Sequence, residues 1–303
     1  MSLRLYPHLE LSPVDVVAEL LAQARLAEQA GFDGFMTSEH HNGFAGYLPN
    51  PIQVAGWVLD STDRAWAAPC PLLLPLRPTA LVAEEIAWLA ARFPGRVAVG
   101  TAAGSLEADF DIAGTTKDDL TRRYADALTT LSAMLLGRDP GPLLDDPAIS
   151  RCATHPVPVV SAAMSPAACR RAAQAGVGLL FDSLTTVSRC RELADAYRDA
   201  GGAGPIALIR RAWPGPQQTE RHEDQLRLYR SYATQTAAGH WSEDQPATGD
   251  ATSIAETLIE QVTAVGATCL NIRVHTPGMA VAEARAHIAG LAEVVRILRR
   301  DWP

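Results

Sequence analysis

The chain lacks the cysteine pattern of a disulfide-stapled or zinc-stapled fold. Its five cysteines, Cys70, Cys152, Cys169, Cys190 and Cys269, are widely spaced, odd in number and form no Cys-x-x-Cys pair. A disulfide framework and a structural zinc site are therefore not expected. No basic run exceeds two residues, and the formal net charge is −8. A nucleic-acid partner is not expected either, because neutralising phosphates takes clustered Lys and Arg. No apolar run approaches the roughly 18–20 residues of a membrane-spanning helix. The first residues carry no basic stretch ahead of an apolar core, so a soluble, cytoplasmic protein is the expectation. Also missing is a Gly-x-Gly-x-x-Gly turn after the first apolar run. That position reads Pro7-His8-Leu9-Glu10, which argues against a dinucleotide-binding doubly wound sheet.

What is present is a large apolar fraction, 48%, in an ordered alternation. Short apolar runs at 3–6, 34–38, 65–74, 96–101, 157–162, 177–182, 205–210 and 268–274 read as strands. Segments with three- and four-residue apolar spacing at 13–30, 51–59, 79–92, 117–136, 166–175, 187–200, 254–265 and 281–299 read as helices. Ser12 and Ser165 stand where N-caps are needed, each followed by a proline that suits the first helical turn. Eight strands, each followed by a helix, predict a (β/α)8 TIM barrel formed by residues 1–303 as a single domain. A polar stretch, 214–249, interrupts the pattern before the last helix–strand unit. It is expected to hold a helix over 221–236 and to form a lid, flanked by Trp213 and Trp241.

In such barrels the chemistry sits at the carboxyl ends of the strands. Strand two ends in Glu39-His40-His41. Histidine can move protons near neutral pH, and a buried carboxylate can orient it. The alternative is a polar cluster at the barrel rim. Adjacent strand residues face opposite ways, so His40 and His41 make a poor pair of metal ligands. Strand three ends in a proline-rich run, Pro69 to Pro78, in which a cis bond before Pro71 is one possibility. Strand four runs into Thr101-Ala102-Ala103-Gly104-Ser105, small residues that let a ligand approach or simply make a tight turn. Met164 and Ser165 stand at a helix start, where free N–H groups suit a phosphate and where Ser165 alternatively serves only as a cap.

Taken in order, the strings Gly31-Phe32-Asp33-Gly34-Phe35, Ser38-Glu39-His40-His41, Asn50-Pro51, Leu74-Pro75-Leu76-Arg77, Gly95 to Gly100, Asp109-Phe110 and Val157 to Ser161 resemble the bacterial luciferase-like monooxygenase family. The likeness runs over almost the whole chain. It implies an oxidoreductase that binds reduced FMN, or the deazaflavin F420, across the barrel mouth. It implies that His40, beside Glu39, is the catalytic histidine. It puts a cis bond that buttresses the flavin ring at Cys70–Pro71 and the phosphate site at Met164 and Ser165. The family's namesake has a phosphate-binding arginine after strand four, and the position here is Ala103. Arg170 or Arg171 would substitute only if the following helix turns one inward. With reduced FMN supplied by a separate reductase and with O2, the reaction expected is oxygenation of a small organic substrate. Hydride transfer with F420, flavin binding without turnover, and a metal hydrolase built on Glu39, His41 and His275 are the alternatives. A homodimer is also compatible with the resemblance.

Overall fold

In a computed structural model, residues 1–44, 46–232, 239–241 and 246–303 are described. The strands are β1 (Ser2–Arg4), β2 (Gly34–Thr37), β3 (Trp66–Pro69), β4 (Leu72–Leu73), β5 (Val99–Ala102), β6 (Val159–Ala162), β7 (Gly178–Phe181), β8 (Ile206–Pro214), β9 (Ala247–Gly249) and β10 (Cys269–Arg273). Their order is β3-β2-β1-β10-β8-β7-β6-β5-β4, and every ladder is parallel. β3 and β4 are two halves of one stave. β3 pairs with β2, while β4 pairs with β5 and an Ala67–Val97 bridge ties β3 to the approach of β5. The ring of eight staves is thereby closed, as the alternation predicts.

The staves and the outer helices enclose the main apolar core, as period-2 strands and one-sided helices require. Inside the ring the side chains are smaller, with Met36, Ala68, Cys70, Leu180, Ala207 and Ile209 forming a second cluster. Helix starts follow the cap chemistry of the sequence. In α1 (Pro13–Gln29) Ser12 accepts the Asp15 N–H, in α2 (Pro51–Ser61) Asn50 accepts the Gln53 N–H, and α3 spans Thr79–Arg92.

The remaining helices are α4 (Glu107–Ile112), α5 (Leu120–Leu135), α6 (Pro147–Arg151), α7 (Pro166–Ala175), α8 (Val187–Asp199), α9 (Thr219–Tyr232), α10 (Ala251–Val265), α11 (Val281–Gly290) and α12 (Ala292–Asp301). Several differ from expectation for local reasons. Strand three is split at the proline pair, where Cys70–Pro71 is cis. The last helix breaks after Gly290, where the lack of a side chain leaves room for the Pro214 ring, 3.1 Å from where a Cβ would stand. The short helices α4 and α6 and the strand β9, which pairs with β8, are additions to the predicted pattern. The expected helix over 221–236 begins earlier, and its last residues lie outside those described. Among the described residues no helix is long and apolar enough to cross a membrane.

Candidate active site

β2 delivers Glu39, His40 and His41 to the carboxyl end of the ring, and the three side chains part company there. The Glu39 carboxylate is 2% exposed. It accepts the Leu73 N–H at 2.6 Å and takes Arg77 Nη2 at 3.3 Å. His41 Nε2 lies 3.3 Å from the same carboxylate. Glu39 thus ties the end of β2 to β4 just beyond the cis bond. Its charge lifts the His41 imidazole above its ordinary value, against burial.

His40 has a different partner. Its Nδ1 lies 2.7 Å from Asp109 Oδ2, and Asp109 Oδ1 accepts the His41 N–H at 3.0 Å. Asp109 sits on α4 and is 2% exposed. Burial pushes its carboxyl up, but the His40 ring and the His41 N–H outweigh this and hold it below the usual carboxylate range. The carboxylate in contact with the His40 ring is therefore Asp109 rather than the adjacent Glu39. Its only trace in the sequence is the Asp109-Phe110 string, which assigned it no role. With Nδ1 engaged, Nε2 is the His40 nitrogen left to exchange a proton with a neighbour.

His40 lines a cavity of about 200 Å³ at the barrel mouth. Its lining includes Ser38, Glu39, Pro71 and Leu73 together with the rings of Tyr6, Tyr47, Tyr229 and Trp241. Tyr47 packs edge-on against His40 at 4.6 Å between ring centres, and its hydroxyl meets that of Tyr229 at 2.9 Å. Tyr229 comes from α9, inside the predicted lid segment. Trp241 lines the cavity, whereas Trp213 is fully buried and donates to the Val274 carbonyl at 2.5 Å. Cys70 is buried beneath the mouth, and burial pushes its thiol up to about 12, so it is a packing residue rather than a nucleophile.

The expected phosphate residues lie on the neighbouring staves. Ala103 and Gly104 follow β5, and Met164 and Ser165 follow β6. Ser165 Oγ accepts the Ala168 N–H at 3.2 Å and so caps α7. Ala103 is half-buried beside the main core. Arg170 is exposed and Arg171 half-buried. Among the described residues no group of three His, Cys, Asp or Glu side chains could hold a metal, so Glu39, His41 and His275 do not converge as a ligand set. His275 instead stacks on Tyr6 at 5.1 Å.

Comparison with known proteins agrees with this architecture. The family model described as luciferase-like monooxygenase matches residues 4–268. An F420-dependent glucose-6-phosphate dehydrogenase of Beutenbergia cavernae is 30% identical over 185 residues, covering 54% of this chain and 52% of that protein. An alkanal monooxygenase alpha chain of Photorhabdus luminescens is 28% identical over 106 residues, covering 35% of this chain and 29% of that protein. The chain thus spans about half or less of the length of these relatives. Among solved structures, the monooxygenase RslO1 from Streptomyces bottropensis superposes with a TM-score of 0.75 at 19% identity, covering 96% of this chain and 97% of that one. The oxygenating constituent of 3,6-diketocamphane monooxygenase from Pseudomonas putida, in complex with FMN, superposes with a TM-score of 0.74 at 15% identity, covering 98% of each chain. These structural likenesses concern the fold. With the family model spanning residues 4–268 of a closed eight-stave barrel, the chain belongs to the luciferase-like monooxygenase family.

Proposed function

We propose that the protein is a flavin-dependent monooxygenase that uses reduced FMN and O2 to oxygenate a small organic substrate at the mouth of the barrel. The observation that carries this reading is His40, held by Asp109, facing a cavity with aromatic and aliphatic side chains in its lining. Reduced FMN, when bound, supplies the electrons that activate dioxygen. The residues present fit such a group. Pro71 and Leu73 offer an apolar wall to a planar ring, and the start of α7 offers backbone N–H donors and the Ser165 hydroxyl to a phosphate. Without a cation at Ala103, those donors carry the phosphate alone or with Arg171.

The chain's own groups then have distinct tasks. Asp109 fixes the His40 tautomer by holding Nδ1, and His40 Nε2 gives or takes a proton beside the substrate. Glu39 holds the exit of β2 against β4 and positions His40 indirectly. Tyr47, Tyr229 and Trp241 cover the pocket, the last two from the described part of the segment expected to form a lid, and keep water from the reacting atoms. A separate flavin reductase provides the reduced cofactor, and the protein works in the cytoplasm, as a homodimer if it follows the family.

A second reading is hydride transfer with F420. It is favoured by the F420-dependent relative, whose match of 185 residues is longer than the 106 residues of the alkanal monooxygenase match. Anaerobic titration with reduced FMN and with F420, followed by cofactor fluorescence, separates them. Saturable one-to-one binding of reduced FMN, with F420 unbound, supports the first reading. F420 binding alone moves the assignment to the second, and binding of neither overturns both.

A further inference from the structure

The mouth of the barrel holds buried positive charge that, among the described residues, meets no carboxylate. Arg4 of β1, Arg211 of β8 and Arg273 of β10 are 3%, 1% and 4% exposed. Arg273 and Arg211 are direct register partners on adjacent parallel strands, so their side chains leave on the same, inner side. Arg4 and Arg273 both line the cavity that contains His40.

The partners of these guanidinium groups are carbonyls, hydroxyls, an amide, an imidazole, a thioether and an aromatic ring. Arg4 donates to Asn271 Oδ1 at 3.1 Å, to the Cys70 carbonyl at 2.8 Å, and to Ser38 Oγ. Arg211 donates from Nε to Ser183 Oγ at 3.2 Å and from Nη1 to His222 Nδ1 at 3.0 Å, and its buried Nη2 has no partner. Arg273 donates to the His275 carbonyl at 3.3 Å and the Tyr229 hydroxyl at 2.8 Å, and lies 4.3 Å over the Tyr6 ring. Among the described residues none of the three forms an ion pair, although the half-buried Arg221 and the exposed Arg285 do. Two carboxylates line the cavity. Glu39 is taken by Leu73 and Arg77, and Asp182 Oδ1 accepts the Leu184 and Thr185 N–H groups.

A buried charge normally has a counter-charge, because removing an ion from water is costly unless something replaces its shell. The surroundings report the same field. Burial together with Arg211 and Arg273 holds the His222 imidazole down to about 4. Burial opposes ionisation of the Tyr229 phenol, yet Arg273 and Arg211 bring it below its ordinary value.

We propose that the substrate carries an oxyanion, a carboxylate or sulfonate, that docks on Arg273 with Arg211 and Arg4 behind it. This rests on the reading of the cavity as the substrate site. The space suits a small body, since about 150 Å³ holds a benzene ring and this cavity has about 200 Å³. Its walls beyond the arginines and the Pro71–Leu73 face include Leu184 and Ile209, which suit an apolar remainder.

Calorimetric titration of the full chain with benzoate and benzenesulfonate, against benzyl alcohol and benzylamine, tests this. The two anions are expected to bind at least tenfold more tightly than the alcohol, with the amine weakest. Arg273→Met is expected to weaken the anions tenfold or more and to leave benzyl alcohol unchanged, with Arg273→Lys in between. Equal binding of benzoate and benzyl alcohol by the wild-type chain overturns the proposal without recourse to a variant. It is also overturned if Arg273→Met weakens FMN but not riboflavin, because the arginines then serve the cofactor's phosphate. Cofactor titration keeps the two readings apart. Benzoate binding without FMN or F420 binding leaves the anion site standing and removes the flavin reading, and FMN binding without benzoate binding does the reverse.

Discussion

Replacing Asp109 by alanine removes two hydrogen bonds from a buried carboxylate, the His40 Nδ1 contact at 2.7 Å and the His41 N–H contact at 3.0 Å. A hydrogen bond with one ionised partner contributes about 1.5–3 kcal/mol, and an orphaned buried donor costs about 1–3 kcal/mol. The loss expected at neutral pH is therefore about 3–5 kcal/mol. In a domain of this size that lowers the midpoint of thermal unfolding by on the order of 10 °C. Asp109→Asn keeps one acceptor and should lose about half as much. The pH dependence carries the sharper test. The folded-state carboxyl titrates below its ordinary value. Its stabilisation is thus complete above the unfolded value of about 3.9 and fades as pH falls through the folded value. Urea unfolding of wild type and Asp109→Ala from pH 7 down to pH 3 should show a wide gap that narrows in acid. A gap below about 1 kcal/mol at pH 7, against that expectation, or one that does not shrink in acid, would refute the reasoning.

Glu39→Gln should destabilise the chain by about 2 kcal/mol or more through the weakened Leu73 and Arg77 contacts, and should change FMN affinity less than threefold, read by denaturation and fluorescence titration. The same variant tests His41, whose raised folded pKa makes its stabilisation complete below about 6.5 and lost as pH rises through the folded value. Wild-type stability should therefore decline from pH 6 to pH 8 by more than that of Glu39→Gln. Ser165→Ala should cost about 1 kcal/mol of stability through the lost cap and weaken FMN more than riboflavin, since only FMN carries the phosphate. Gly100→Ala places a Cβ 2.1 Å from Cys70 Sγ and 3.2 Å from its Cα, and the forced shift of the β3–β4 stave should lower the unfolding midpoint and weaken flavin binding together.

The barrel was legible because each stave is a short apolar run and each helix carries a one-sided stripe, so local periodicity alone encodes the alternation. The position of His40 was legible for the same reason, at a strand's carboxyl end. Its partner was not. Asp109 lies 69 residues away on a six-residue helix that shows no periodic signal, and Glu39, the adjacent carboxylate, offered a nearer candidate. The arginines were hidden by the same limit. Arg4, Arg211 and Arg273 look like ordinary strand-end charges in one dimension, and only closure of the ring turns them inward. The close approach of Pro214 to Gly290, where the last helix breaks, is likewise a contact between distant segments.

The most direct measurement is a crystal structure of the chain soaked with FMN. The account predicts the isoalloxazine ring against Pro71 and Leu73, His40 Nε2 on its reacting side, and the phosphate at the start of α7. A flavin found elsewhere on the molecule, or a barrel mouth that stays empty at saturating FMN, would contradict it.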